Sequence, residues 1–278
     1  MDSARAFAPG NISCVFKVVA HDDPARMHSL GMGFTVKEGV TVTVSPATAA
    51  AVVFNGESMQ FPTVVQVVEM LTPASLAVDI STPLPLSTGF GLSGASALAT
   101  AYAVNELLDL ALTEEALAMS AHIAEVENLT GLGDVCAQFH GGCLAKLHVG
   151  NPLSAVSLPV AEQPIYYRFF GPIHTDEVLR SAEQKNRINQ AAEAVLGKIE
   201  ALLEQASVDF DACIRLSKKF AVDSGLLRDE RVQQSIAEVE DGGGSASMIM
   251  LGNAVFSTTA FTGATETRLT RQRGRLLP

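Results

Sequence analysis

Between residues 87 and 107 the chain reads STGFGLSGASALATAYAVNEL, with three glycines and three serines in front of an alanine-rich run. Glycine and serine at the doorstep of a helix bring free backbone N–H groups and the positive end of the helix dipole to one point. That is a site for an anion such as a phosphate. The run ASALATAYAVNELLDL is helical by propensity, and its alanines allow close packing on a sheet. Leu98, Tyr102 and Leu107 or Leu108 give it an apolar stripe. The stretch therefore asks for a sheet-packed helix with its amino end turned to a ligand.

Residues Gly89 to Gly94 also fit G-x-G-x-x-G literally. A dinucleotide fold needs a second strand after the helix, carrying an acidic residue about 20 positions on. Asp109 lies near that distance, but the helix ending near 108 is followed by another, opened by Thr113 with Glu114 and Glu115. Several β elements also precede the loop. There is no Gly-Lys-Ser/Thr of a Walker loop, and no protein-kinase catalytic-loop or DFG motif downstream.

The stretch sits inside a β-rich first half. NISCVFKVVA and FTVKEGVTVTV read as strands, with Gly39 as a turn or bulge. Asn55-Gly56 between two apolar runs predicts a hairpin. Residues 63–71 suit a short helix and 75–82 a strand. A loop, TGLGD, precedes a short helix and the strand GGCLAKLHV. From about residue 155 the organisation changes. SLPV and YYRFF read as strands, and three amphipathic segments follow, beginning RSAEQK, DFDAC and DERVQQ. Asp241 to Ser245 is a second glycine-rich break. The final TRLTRQRGRLLP is a basic tail or an edge strand with charges facing water.

The net charge of −11 argues against a general nucleic-acid binder, which needs a basic face. It leaves room for a nucleotide held by helix N-termini and a metal ion. No apolar run reaches about 18 residues, so no membrane span is expected, and the first residues do not read as a secretory signal. Four cysteines without a small disulfide framework point to a reducing cytoplasm. Cys136, His140, Cys143 and His148 invite a zinc reading, but their spacing is not that of a usual finger, and buried thiols with ordinary histidines is the plainer account. His21, His122 and His174 have no constellation around them.

Three stretches, APGN at 8–11, the loop at 87–96 and DGGGSASM at 241–248, come in the order and at the distances of the three motifs of the GHMP kinases, the superfamily of galactokinase, homoserine kinase, mevalonate kinase and phosphomevalonate kinase. The chain resembles that family there, and Pro83 or Pro85 leads into the middle motif as the family pattern requires. The stretches SLGMGFTVKEGVTV, SGASAL and AEVENLTGLGDV are similar to an archaeal branch of it. The resemblance implies a two-lobed α+β fold. Residues 1–155 would form an N-terminal mixed α/β lobe with the ATP loop, and 156–278 a ferredoxin-like C-terminal lobe. It implies transfer of the γ-phosphoryl group of ATP, with Mg2+, to the primary hydroxyl of pantoate, giving 4-phosphopantoate for coenzyme A. Another acceptor such as homoserine or mevalonate, or a ligand-binding protein without catalysis, are the alternatives. A homodimer is expected.

The same resemblance assigns residues. Gly89, Phe90, Gly91, Leu92, Ser93, Gly94, Ala95 and Ser96 would cradle the phosphates, with Ser96 either a phosphate contact or a helix donor. Gly243, Gly244 and Ser245 would close over them from the other half. Ser93 and Glu125 would hold magnesium, with Glu127 as the rival carboxylate. Asp134 would orient the acceptor hydroxyl and take its proton; its blander role is a helix N-cap. Asn11 stands where mevalonate-type kinases carry a lysine. Asn11, Ser29, Gly31, Gly33 and Thr130 would line the acceptor pocket. Arg26 and His28, with Lys17 and Arg5, are candidates for gripping its carboxylate.

Overall fold

Two long strands, β1 (Ala4–Val19) and β2 (His28–Pro46), pair antiparallel from Ala4 opposite Val44 to Val19 opposite His28. They form the spine of an eight-stranded sheet in the computed structural model, which describes residues 2–172 and 182–278. His174 lies outside the described residues. The β1–β2 register shifts twice, between Pro9 and Asn11 and between Ser13 and Val15. Gly39 faces Pro9 at the first shift, so it belongs to a bulge within one continuous strand rather than a turn. At the second, Gly31 has φ +147°, and a Cβ there would lie 1.9 Å from the Val15 carbonyl oxygen. Only glycine lets the strands close at that point.

Strands β3 (Ala51–Phe54) and β4 (Glu57–Ser58) form the expected hairpin around Asn55 and Gly56, at φ 50° and 86°. Helix α1 (Pro62–Leu71) then carries the chain to β5 (Leu76–Ser81), which pairs parallel to β3 and antiparallel to β2. The alanine-rich run becomes α2 (Leu92–Leu108). Of Leu92 to Val104 every residue but Ser93 is buried, against β1, β2, α1 and α3 (Glu114–Glu127). The expected stripe is thus a helix buried on most sides, because its alanines let neighbours approach from every direction. Thr113 caps α3 by accepting the Ala116 N–H. Helix α4 (Asp134–His140), β6 (Cys143–Lys146) and β7 (Val156–Ser157) complete this half, with β6 beside β2.

The second lobe is a four-stranded antiparallel sheet, in the order β11 (Thr265–Arg268), β8 (Pro164–Pro172), β10 (Gly252–Ser257), β9 (Ala246–Met248). Its helices are α5 (Ala182–Leu203), α6 (Phe210–Asp223) and α7 (Glu230–Asp241), the three amphipathic segments of the sequence. The last two start at aspartate caps, Asp209 and Asp229. The α+β fold is two-lobed, and the lobes share a core: Phe34 packs edge-on to Phe210 at 5.0 Å, and Phe16 to Phe220 at 5.5 Å. The arginine-bearing end returns to the first lobe as an edge strand, β12 (Arg275–Leu277), paired with β1, with Arg275 over the Phe7 ring.

All four cysteines are buried free thiols, and burial pushes the Cys136 thiol up to about 11. The His140 ring meets the Leu153 carbonyl at 2.6 Å instead of a thiol. Among the described residues no helix is long and apolar enough to cross a membrane.

Candidate functional site

Helix α2 starts one residue after Gly91, which caps it in the left-handed conformation, φ 59° and ψ 33°. Gly89, Phe90 and Gly91 therefore form the loop, and Leu92, Ser93 and Gly94 the first helical turn. Ala95 donates its N–H to the Gly91 carbonyl at 3.0 Å. The N–H groups of Leu92, Ser93 and Gly94 have no intrahelical acceptor and face the end of the helix. Ser96 is wholly buried and its hydroxyl donates to the Leu92 carbonyl at 2.7 Å. Of its two expected roles, this bond fits the helix donor. The loop is tied to the first motif by the Asn11 N–H on the Phe90 carbonyl, 2.9 Å, and to the second lobe by Phe90 edge-on to Tyr167 at 4.9 Å.

The glycines are needed for what lies behind the loop as well as in front of it. A Cβ on Gly91 would stand 2.8 Å from the Asp134 carboxyl carbon, and one on Gly94 2.9 Å from Gln138 Oε1. Gly91→Ala therefore meets both a left-handed backbone and an occupied space. It should lower the unfolding free energy by about 1–2 kcal/mol or more. Urea unfolding reads this, and an unchanged midpoint would mean that the loop relaxes freely.

Three segments converge on the first turn of α2. Near the end of α3, Glu125 is buried, and its Oε2 accepts the Ser93 hydroxyl at 3.2 Å while Oε1 accepts the Thr130 hydroxyl at 2.6 Å. Burial drives its carboxyl up to about 8; the neighbouring Asp134 charge adds to this, and the two hydroxyls oppose it. Glu127 is exposed and turned toward Gln66, so Glu125 is the glutamate that faces the loop. Asp134 opens α4, whose cap is Gly133, so its carboxylate does not cap the helix. Its Oδ1 accepts from Asn11 Nδ2 at 2.6 Å and Ser13 Oγ at 3.4 Å. Burial raises its pKa, and those two bonds hold it down. The Asn11 Oδ1 is buried and has no partner among the described residues.

A cleft of about 380 Å3 opens over this group, bounded by the glycine loop, residues 128–134 and the turn at Met250 and Leu251. Ser87, Leu129 and Leu251, each non-glycine with positive φ, all line it. Backbone strain of this kind gathers where a surrounding structure fixes a site. A smaller hollow, about 50 Å3, adjoins the cleft through Ser13, Phe16, Ser29 and Gly133.

The expected residues divide between these spaces and elsewhere. The loop residues Gly89 to Ser93 and Asp134 line the cleft; Asn11, Ser29, Gly31 and Gly33 line the small hollow. Thr130 lines the cleft, but its hydroxyl braces Glu125. Gly243, Gly244 and Ser245 do not reach it. They join α7 to β9, where Gly244 abuts Thr259 and Ser245 accepts from Arg215. The contact with the glycine loop comes instead from the next turn, since a Cβ on Gly89 would meet the Met250 carbonyl at 2.5 Å. Arg26 and His28 line a separate hollow, and the His28 ring is turned onto the Arg26 carbonyl at 2.7 Å. Lys17 pairs with Glu193 at 2.7 Å, and Arg5 is exposed on β1, between Leu277 of β12 and Thr43 of β2. Neither lines the small hollow.

The cation there is Lys146, on β6 opposite Gly31. Its signal in the sequence was a lone lysine in an otherwise apolar strand, GGCLAKL. Met59, Phe61 and Leu86, an apolar wall of the cleft, left no signal, because apolar residues in loops look like core. Among the described residues no three His, Cys, Asp or Glu stand together as a metal cage. One carboxylate and one hydroxyl, Glu125 and Ser93, are the hard oxygen donors a magnesium ion takes when phosphates supply the rest.

Residues 62–142 match the family model described as GHMP kinases N terminal domain. A pantoate kinase of Methanospirillum hungatei JF-1 is 30% identical over 260 residues, covering 91% of this chain and 86% of that protein. A pantoate kinase of Methanocaldococcus jannaschii is 32% identical over 257 residues, 90% of each. Among solved structures, a phosphotransferase related to the CoA biosynthesis pathway superposes with a TM-score of 0.83 at 25% identity, over 99% of this chain and 98% of that one.

Proposed function

This chain belongs to the GHMP kinases, in the branch of the pantoate kinases, and we propose that it transfers the γ-phosphoryl group of ATP to the primary hydroxyl of pantoate. The observation that carries this reading is the position of Asp134. Its carboxylate abuts the glycine loop at Gly91 and, through Asn11 and Ser13, borders a hollow whose cation is Lys146. A phosphoryl donor on one side, a carboxylate acceptor on the other and a base between them is the order that the reaction needs.

The free N–H groups of Leu92, Ser93 and Gly94 receive the triphosphate, and Met59, Phe61 and Leu86 offer apolar surface to the base. Ser93 and Glu125 would hold Mg2+, which when bound neutralises charge on the phosphates. Asn11 and Ser13 both donate to Oδ1 of Asp134, which leaves Oδ2 for the acceptor hydroxyl. Asp134 orients that hydroxyl and accepts its proton. A neutral amide at position 11 leaves Asp134 more basic than an ammonium would. Val15, Phe16 and Leu144 give the hollow apolar walls for the gem-dimethyl carbon of pantoate.

Lys146 donates to the Ser154 carbonyl at 2.9 Å and to the Asn151 carbonyl, and an ammonium has a third proton for the substrate carboxylate. Lys146→Met should raise KM for pantoate roughly 10- to 100-fold, the worth of one charged hydrogen bond, and leave KM for ATP alone. Steady-state kinetics with each substrate varied decides this; an unchanged pantoate KM removes Lys146 from the site. The reaction itself is tested by 31P NMR of the product. A phosphate resonance coupled to a CH2 group supports the reading, and no phosphorylated pantoate contradicts it.

A further inference from the structure

Gln138 is not among the expected residues, and it lines neither the cleft nor the small hollow. It is nonetheless wholly buried and bonded to the glycine loop. It follows Asp134 by four residues on α4, so both side chains share one face of that helix. The Gln138 Nε2 donates to the Gly91 carbonyl at 2.7 Å. Since a carbonyl only accepts, this bond fixes which end of the amide is which. The Gln138 backbone carbonyl accepts the Gly274 N–H at 2.8 Å, from the segment leading into β12. Its Oε1 is buried beside Gly94 with no hydrogen-bond partner among the described residues. A buried acceptor left unpaired is costly, and such atoms persist where geometry is held for another purpose.

Gly91 joins the phosphate loop to α2. It has no capping side chain, and its carbonyl takes the first helical N–H of α2, from Ala95. Gln138 gives that carbonyl a second donor, from the same face of the helix that bears Asp134. One turn of α4, a rise of about 6 Å, thus acts as a ruler between the loop and the carboxylate.

Resting on the kinase reading above, we propose that Gln138 is a positioning residue, which holds the phosphate loop in register with Asp134 through Gly91 and touches no substrate. Misplacement of reacting groups by about 1 Å lowers rates on the order of 100-fold. Gln138→Met keeps the volume and removes the N–H donor. It should lower kcat by roughly 10- to 100-fold, with KM for both substrates and the melting temperature little changed. Gln138→Asn, an amide too short to reach Gly91, should behave alike and serves where the methionine packs badly.

Amide hydrogen exchange is measured on the same proteins without substrate. Loss of one hydrogen bond at the cap should speed exchange of the Ala95 amide about 3- to 10-fold. Unchanged exchange and kcat would overturn the proposal. So would a fall in kcat that tracks lost binding and lost melting temperature, or failure of both variants to fold, since each marks a structural part only. If the wild-type protein phosphorylates no acceptor while exchange at Ala95 still quickens in the variants, the kinase reading fails and the tie between Gln138 and the loop stands.

Discussion

Asp134→Asn should lower kcat by roughly 100- to 10,000-fold, the range of a lost general base, while KM for ATP stays within a few-fold. The substitution is nearly isosteric. Its carbonyl oxygen can still accept from Asn11 and Ser13, which hold Oδ1 at 2.6 and 3.4 Å, so the loop and hollow keep their shape. What disappears is the proton acceptor. The transition state of phosphoryl transfer is loose, so much of the work of Asp134 is orientation, which an asparagine partly retains. Asp134→Ala removes orientation as well and should be slower still; the gap between the two variants separates the two roles. The melting temperature should not fall in Asp134→Asn, because burial already disfavours the ionised carboxyl. Activity within about tenfold of wild type in both variants would mean that another group takes the proton.

Glu125→Gln should stabilise the protein at alkaline pH while abolishing most of its turnover. The sign follows from proton binding. The Glu125 carboxyl is held near 8 in the fold, against an ordinary value of 4.5. Between these values the native state keeps a proton that the unfolded chain has lost, so stability falls as pH rises through that window. Below about pH 4.5 the penalty is absent, and above about pH 8 it is complete. At 1.4 kcal/mol per pH unit it is on the order of 3–5 kcal/mol. Glutamine carries no charge, so the variant lacks this slope. At pH 8.5 without ligands its melting temperature should exceed that of wild type by ~5–10 °C, with no gain at pH 4.5. Thermal unfolding across pH reads this directly. A buried carboxylate that the empty fold disfavours is retained where a cation is to be met, so turnover should drop in the same variant. A lower melting temperature at both pH values would mean that Ser93 and Thr130 stabilise the ionised form more than burial opposes it.

The strand and helix pattern was readable because each element follows from local rules. The Asn55–Gly56 hairpin, the Thr113 cap and the amphipathic helices of the second lobe need no long-range information. Helix α2 was readable as a helix but not as one buried on nearly every side, since alanines look the same at a surface and in a core. Residues that the fold brings together were legible where a short motif carries them. The loop, Glu125 and Asp134 meet at the first turn of α2 although they are scattered over 45 positions of sequence. Choosing Glu125 over Glu127 needed the turn of α3, which sends one inward and the other to Gln66. The cation was sought near the first motif because proximity in sequence was the available guide. The cation lining the small hollow is Lys146 of β6, which pairing with β2 brings opposite Gly31. The same limit misassigned the second-lobe contact to Gly243–Ser245. The segment touching the loop is the turn five residues later, and only tertiary packing separates the two.

The central claim, phosphoryl transfer to pantoate, is tested most directly by ADP release with magnesium and ATP across pantoate, homoserine, mevalonate and galactose. The account predicts turnover on pantoate, with the other three at background, and loss of that turnover in Asp134→Ala. Turnover on homoserine or mevalonate with pantoate inert would contradict it, leaving the kinase site in place but the acceptor wrong.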